Sequence, residues 1–369
     1  MERVLYELLD RARGALHHLA GGDAVDEFSR EAADRHEGQT FLHSTIPRSR
    51  PPVLNRFASL AAVLTLAVLP ARAQVVPLTP VDPDETLVEE LVVRGRLPGP
   101  AWWRVSDADT TVYVLGVPSL APKRMEWDRA IFERRLQGAN VVVLPFVNVR
   151  AKAAGSIGTA FNLMRLKSGG PYEEKLDPAT RARFVAVRTR LGQDAKHYGT
   201  SNPLAAGVQL AIDYRDRSQL TNMDPAKLVR YLAQQKRVKV VEKSYDLGPQ
   251  LGGIIRTPPA VGRLCFDEVL TQAEAGPSVT LAAARAWAAG DVEGALQNER
   301  TYERCLAAIT GGRTYDERTK ADTVAAIAGA LKTPGHAIVL VQLRPLLAQN
   351  GVLERLRDQG FDVKTPGEE

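Results

Sequence analysis

The stretch from Trp103 to Pro145 constrains the fold most. Val105, Val112, Val114 and Leu115 flank the turn Asp107-Ala-Asp109-Thr110, so two apolar runs are set to close as a hairpin ending at Gly116. After a loop with Pro118 and Pro122, Trp127, Ala130, Ile131 and Leu136 recur at helical spacing, and Gly138 stops that helix. Ala139 to Leu144 then reads as a short buried strand. The order is β-β-α-β, and the partner of this unit lies at the far end of the chain, between His336 and Val363.

Upstream, two unlike pieces precede this unit. Residues 1–50 are polar and of mixed charge, with His17, His18, His36 and His43, and form an extra N-terminal segment. From residue 51 the pattern changes: Arg56 precedes the apolar run Phe57 to Leu69, followed by Pro70 and Ala71-Arg-Ala73. A basic start, a short apolar core and a small-x-small site predict a secretory signal peptide over 51–73, cleaved after Ala73. The run is too short to span a bilayer, which takes about 20 residues, so no membrane span is expected after cleavage. The simplest account of a signal so far into the chain is translation from near Val53, with residues 1–50 a start-site artefact; a long leader is the competing account. Residues 74–100, rich in Pro and carrying Asp82, Asp84, Glu85, Glu89 and Glu90, are expected to be a linker with little packed structure.

The ordered fragments Trp103-Arg-Val-Ser-Asp-Ala-Asp-x-Thr-Val-Tyr-Val-Leu-Gly116, Ala139-Asn-Val-Val-Val-Leu144, Lys239-Val-Val-Glu242, Ala286-Trp-Ala-Ala-Gly290-Asp291 and Gly351-Val-Leu-x-x-Leu356 resemble the TraB/GumN proteins, whose animal relatives are the Tiki proteases. The resemblance spans residues 101–365. It implies an active branch with a Gly-x-x-His after the first hairpin, a Glu closing the next strand and a second Gly-x-x-His near the C-terminus. At those places this chain has Gly116-Val-Pro-Ser119, Pro145 and Gln342-Leu-Arg-Pro345. A neutral serine hydroxyl binds a divalent cation poorly, and proline offers no donor side chain. No catalytic residue, metal or cofactor is therefore assigned.

Between these landmarks the sequence is mostly helical. Asp177-Pro178 and Asp224-Pro225 are cap and first-turn pairs of two helices. Arg237 to Val241 is a strand expected to run parallel to Ala139–Leu144. Gly248 to Gly253 lacks the Gly-Lys-Ser/Thr of a phosphate loop and is expected to be a turn. Glu242, at a strand's C-terminal end, and Arg318, which resembles part of a charged pair in the family, are candidate cleft residues; for each the alternative is a structural ion pair. Cys265 and Cys305 are the two cysteines, and export favours joining them in a disulfide; the alternative is two buried thiols.

The fold class that follows is α/β, a central mixed sheet covered by helices with a mostly helical middle insertion. A 44% hydrophobic content supplies a sizeable core, and a net charge of +5 from 48 basic and 43 acidic residues does not point to nucleic acid. The functional expectation is a periplasmic or secreted, non-catalytic protein that binds a ligand or a periplasmic protein. The alternative is a metal-dependent, peptidase-like hydrolase of the family with a rebuilt site.

Overall fold

The computed structural model describes residues 82–92, 97–150, 156–222, 224–246 and 248–368, with the side chains of 145–150 and 156–157 outside that description. The extra segment 1–50, the signal peptide 51–73 and the start of the linker lie outside the described residues. Among the described residues no helix is long and apolar enough to cross a membrane.

The hairpin is β1 (Trp102–Ser106) and β2 (Thr110–Val117), antiparallel, with Val105 opposite Val112 and Trp103 opposite Val114. Asp107 closes the turn by accepting from the Thr110 amide at 2.9 Å. A two-residue strand, β3 (Ala121–Pro122), precedes α1 (Ala130–Leu136), which ends before Gly138 at φ 75°. Strand β4 (Val141–Arg150) follows. The expected short strand ending at Leu144 therefore runs on past Pro145, and its register with the neighbouring strand shifts between Leu144 and Asn148. A proline has no amide proton to give a ladder, so a shift at this point is where pairing is interrupted at least cost.

The helical middle consists of α2 (Ser156–Lys167), α3 (Pro178–Arg190), α4 (Pro203–Arg217), the two-residue β5 (Leu220–Thr221) paired with β3, and α5 (Asp224–Gln235). Asp177 caps α3 by accepting from the Thr180 amide at 3.0 Å, as the Asp-Pro pair predicts. Strand β6 (Lys239–Asp246) then pairs parallel to β4. Next come α6 (Gly248–Arg256), α7 (Pro259–Ala275), α8 (Ser278–Ala288), α9 (Val292–Leu296), α10 (Thr301–Ala308) and α11 (Gly312–Ala330). The expected turn at Gly248–Gly253 is instead the body of α6. Its glycines serve packing: a Cβ on Gly253 would lie 2.5 Å from Ile309 Cγ2 and 2.7 Å from the Thr310 carbonyl oxygen.

Strand β7 (Gly335–Gln342), α12 (Leu343–Leu347), α13 (Val352–Asp358) and β8 (Asp362–Lys364) complete the chain. The strand order is β6-β4-β7-β2-β1-β8, with β6, β4, β7 and β2 parallel and β1 antiparallel to both its neighbours. The sheet is mixed and helix-covered, as expected of the α/β class. Trp103, Val105, Val112, Val114, Leu115, Ile338 and Leu340 are fully or almost fully buried at its centre.

Residues 82–92 correct the linker expectation. They form a strap packed along the C-terminal elements: Val88 donates to the Leu347 carbonyl at 3.0 Å, Gln349 donates to that of Thr86 at 2.8 Å, and Leu91 is completely buried. Trp103 Nε1 donates to the Leu91 carbonyl at 3.2 Å. Acidic, proline-rich composition marks solvation on average, but one leucine under a tryptophan and two paired aspartates outweigh the average here.

Candidate functional site

The parallel neighbours β2 and β7 both end on one side of the sheet, Val117 opposite Gln342, and ligands of open α/β sheets collect beyond such strand ends. Gly116, one residue from the end of β2, is tightly packed. A Cβ there would meet Leu343 Cδ2 at 2.5 Å and the Trp103 ring at 2.8 Å, while Trp287 Nε1 on α8 donates to the Gly116 carbonyl at 2.6 Å. Beyond this clamp, Ser119 Oγ accepts from Asn298 Nδ2 at 3.4 Å. Ser119, Gln342 and Pro345 line one cavity of about 160 Å³. Three of the positions singled out by sequence are thus brought together. Pro145 sits in β4, and its side chain is outside the described residues.

On and beside the walls of this cavity lie charges that sequence reasoning misses. Arg300, 6% exposed, grips Asp82 twice, Nε to Oδ2 at 2.9 Å and Nη2 to Oδ1 at 2.8 Å, and reaches Asp84 Oδ2 at 3.4 Å. Lys320, 3% exposed on α11, sits 2.5 Å from Asp84 Oδ1 and 2.9 Å from Asp316 Oδ2. Burial opposes the charge of each group, but the pairing wins. Asp82 is held below the usual carboxylate range, while the Arg300 guanidinium and the Lys320 ammonium are raised. Asp316 goes the other way, raised by burial that its lysine does not fully offset. Arg344 adds a third cation, donating Nη2 to the Leu296 carbonyl at 2.6 Å and Nη1 to that of Asp84 at 3.4 Å. Locally, Asp82 and Asp84 read only as linker acids, and Arg300 stands in a mixed-charge run.

A profile of the TraB/PrgY/gumN family matches residues 101–365. The chain belongs to this family. No curated protein and no solved structure gave a match.

The active-branch pattern of TraB/PrgY/gumN proteins implies a metal, and the residues at this cleft do not fit one. Ser119, Pro145 and Pro345 stand at the expected ligand positions. Of the carboxylates near the cleft, Asp82, Asp84 and Asp316 are already paired with Arg300 and Lys320, and Glu303, on the cavity wall, has no ion pair among the described residues. The Lys320 ammonium occupies the place between two carboxylates that a cation would need, and a divalent ion beside it would meet repulsion in a poorly screened site. Among the described residues no group of three or more His, Cys, Asp and Glu is placed to hold a metal ion.

The candidate cleft residues Glu242 and Arg318 lie elsewhere. Glu242 on β6 is ion-paired with Arg230 on α5. Arg318 is largely exposed, 4.0 Å from Asp322, at the edge of a mostly apolar cavity of about 370 Å³ lined also by Ile212, Leu251, Ile254 and Ile309. His336 Nε2 lies 2.8 Å from the Arg135 carbonyl oxygen, and His197 Nε2 lies 2.9 Å from buried Asp213. The expected disulfide is corrected: Cys265 on α7 and Cys305 on α10 are free, buried thiols. They face each other closely enough to hydrogen-bond, and that contact together with burial pushes the Cys305 thiol far above its ordinary value.

Proposed function

We propose that this family member is exported through the signal peptide at 51–73, with the mature chain starting at Gln74, and acts in the periplasm or outside the cell as a non-catalytic binding protein. The observation that carries the reading is the convergence of Ser119, Gln342 and Pro345 on one cavity whose nearby carboxylates are bound to Arg300 and Lys320. Metal-assisted hydrolysis needs strong ligands, an open position for water and a nearby base. Here the Ser119 hydroxyl is a weak ligand, Pro345 offers none, and Asp82, Asp84 and Asp316 are paired with Arg300 and Lys320. What remains is a cleft with both apolar and charged walls, suited to holding a ligand or a protein segment.

The test is a peptidase assay of the mature protein with Mn, Co or Zn, run beside an active relative. No metal-stimulated cleavage is expected. Cleavage that persists through purification to homogeneity would overturn the reading. Export is tested by sequencing the N-terminus of the protein recovered outside the cytoplasm, expected to begin at Gln74.

A further inference from the structure

We propose that Asp82-Pro83-Asp84 is a built-in occupant of the cleft, standing in for an acidic peptide segment with two carboxylates two positions apart. The proposal rests on reading the cleft as a binding site and names what that site takes.

The domain buries two cations at one place, and a buried charge is costly unless it is paired. Among the described residues, the ion pairs of Arg300 are those to Asp82 and Asp84, both from the N-terminal strap. Lys320 keeps Asp316 and Glu317 on its own helix, at 2.9 and 3.8 Å, and takes its shortest contact, 2.5 Å, from Asp84. Both carboxylates that pair with Arg300 therefore come from a segment peripheral to the sheet, while α11 shares with that segment the compensation of Lys320. The strap presents its acids compactly, since the Asp84 amide donates to Asp82 Oδ1 at 3.0 Å. A two-pronged arginine contact is the geometry by which guanidinium recognises carboxylate, so the site reads as a carboxylate receptor rather than a neutral cleft.

The strap leaves part of this receptor unused. Arg344 Nε is buried without a hydrogen-bond partner, and so is Oδ1 of Asn298, a residue 8% exposed. Burial and the neighbouring Arg300 lower the Arg344 pKa, as expected of a cation short of negative charge. Both residues line a second cavity, of about 660 Å³, whose walls carry Arg300 and Arg304 as well as Asp82, Glu85, Glu268 and Glu299, while the cavity at Ser119 reaches Asp84 and Arg300 from another direction. An incoming acidic segment thus has room beside the strap, one spare donor for a further carboxylate or carbonyl, and one spare acceptor for a backbone amide. Exchange replaces one set of ion pairs by an equivalent set, so the strap lowers apparent affinity without destroying the site.

The test uses the full mature chain and the fluorescent peptide Asp-Pro-Asp-Glu-Thr, blocked at both ends, with Asn-Pro-Asn-Glu-Thr as control. In the double variant Asp82→Asn/Asp84→Asn the receptor's cations lose their built-in carboxylates. That variant is expected to bind the acidic peptide at least about tenfold tighter than wild type, because the competing strap no longer holds the site. The peptide should raise its Tm, the control peptide should do neither, and a further Arg300→Gln change should abolish the binding. A folded double variant that binds no better than wild type would overturn the proposal. Should the variant not fold, hydrogen exchange on wild type decides: excess acidic peptide is expected to deprotect the amides of Asp84, Val88 and Leu91 while β2 and β7 stay protected, and unchanged exchange would overturn it. Metal-stimulated cleavage, by contrast, would refute the non-catalytic reading and leave the peptide result standing.

Discussion

Arg300 holds Asp82 through two hydrogen bonds of 2.9 and 2.8 Å that join residues 218 positions apart. The contact ties the segment just before the family domain to the loop between α9 and α10, beside the strand ends where Ser119 and Pro345 meet. With the guanidinium 6% and the carboxylate 8% exposed, this is a buried pair, and removing one partner of a buried pair is far more damaging than removing a surface charge.

Asp82→Asn is therefore expected to lower the unfolding free energy by about 3 kcal/mol at neutral pH, the low end for a broken buried pair because Asp84 remains near Arg300. The sign with pH follows from the depressed carboxyl. Burial raises it and Arg300 more than compensates, leaving it below the ordinary 3.8. A lowered folded value stabilises fully above the unfolded value, and that stability fades as pH falls through the folded one. Urea unfolding of wild type and variant should show a constant gap above about pH 5 that closes as the pH drops below about 3.8. A gap equally large at the acid end would show that Asp82 contributes by packing and not by charge.

How much of this is legible in the sequence depends on distance along the chain. The hairpin, the Asp177 cap and the stop at Gly138 can be read because each is decided by neighbours within a few residues. The strap cannot. Asp82, Asp84 and Leu91 follow local rules for a solvated linker, and Arg300, Lys320 and the Leu347 carbonyl that Val88 reaches, all far away in sequence, reverse them. Gly253 is opaque for the same reason. A glycine-rich run signals a turn to a local reading, whereas the need for a small residue here comes from Ile309 and Thr310, whose atoms would lie 2.5 and 2.7 Å from a Cβ at that position.

Glu242 ends in an ion pair with Arg230, and that pairing gives a specific expectation. Both side chains are about a quarter exposed, so Glu242→Gln should cost no more than about 1 kcal/mol. Binding of the acidic peptide by the Asp82→Asn/Asp84→Asn chain should be unchanged. A loss of peptide affinity at constant Tm would place Glu242 in the cleft after all.

The two thiols give a chemical prediction. Cys265 and Cys305 are completely or almost completely buried, and the Cys305 thiol is held in its neutral form. Because the thiolate is the reactive species, a disulfide reagent should find no accessible thiol in the native protein and two per chain after unfolding without reductant, matching the two cysteines of the sequence. Zero thiols after unfolding would mean that the pair is oxidised in the isolated protein.

The clamp on Gly116 yields the last prediction, and a double-mutant cycle is the way to read it. In Gly116→Ala the new methyl would stand 2.5 Å from Leu343 Cδ2 and 2.8 Å from the Trp103 ring, both in buried side chains. Overpacking of this kind costs about 1–3 kcal/mol. Trp287→Phe removes the 2.6 Å bond to the Gly116 carbonyl, and losing a buried donor costs about 1–3 kcal/mol. The two changes act on one peptide unit. A methyl that displaces the strand end also spoils the tryptophan's hydrogen bond, so the second change should cost less once the first is made. The double variant is expected to fall short of the sum of the singles by at least about 0.5 kcal/mol, the range for residues in contact. Additive costs in urea unfolding would show that Leu343 and Trp103 absorb the methyl without moving Gly116, and that the strand end is softer than its packing distances imply.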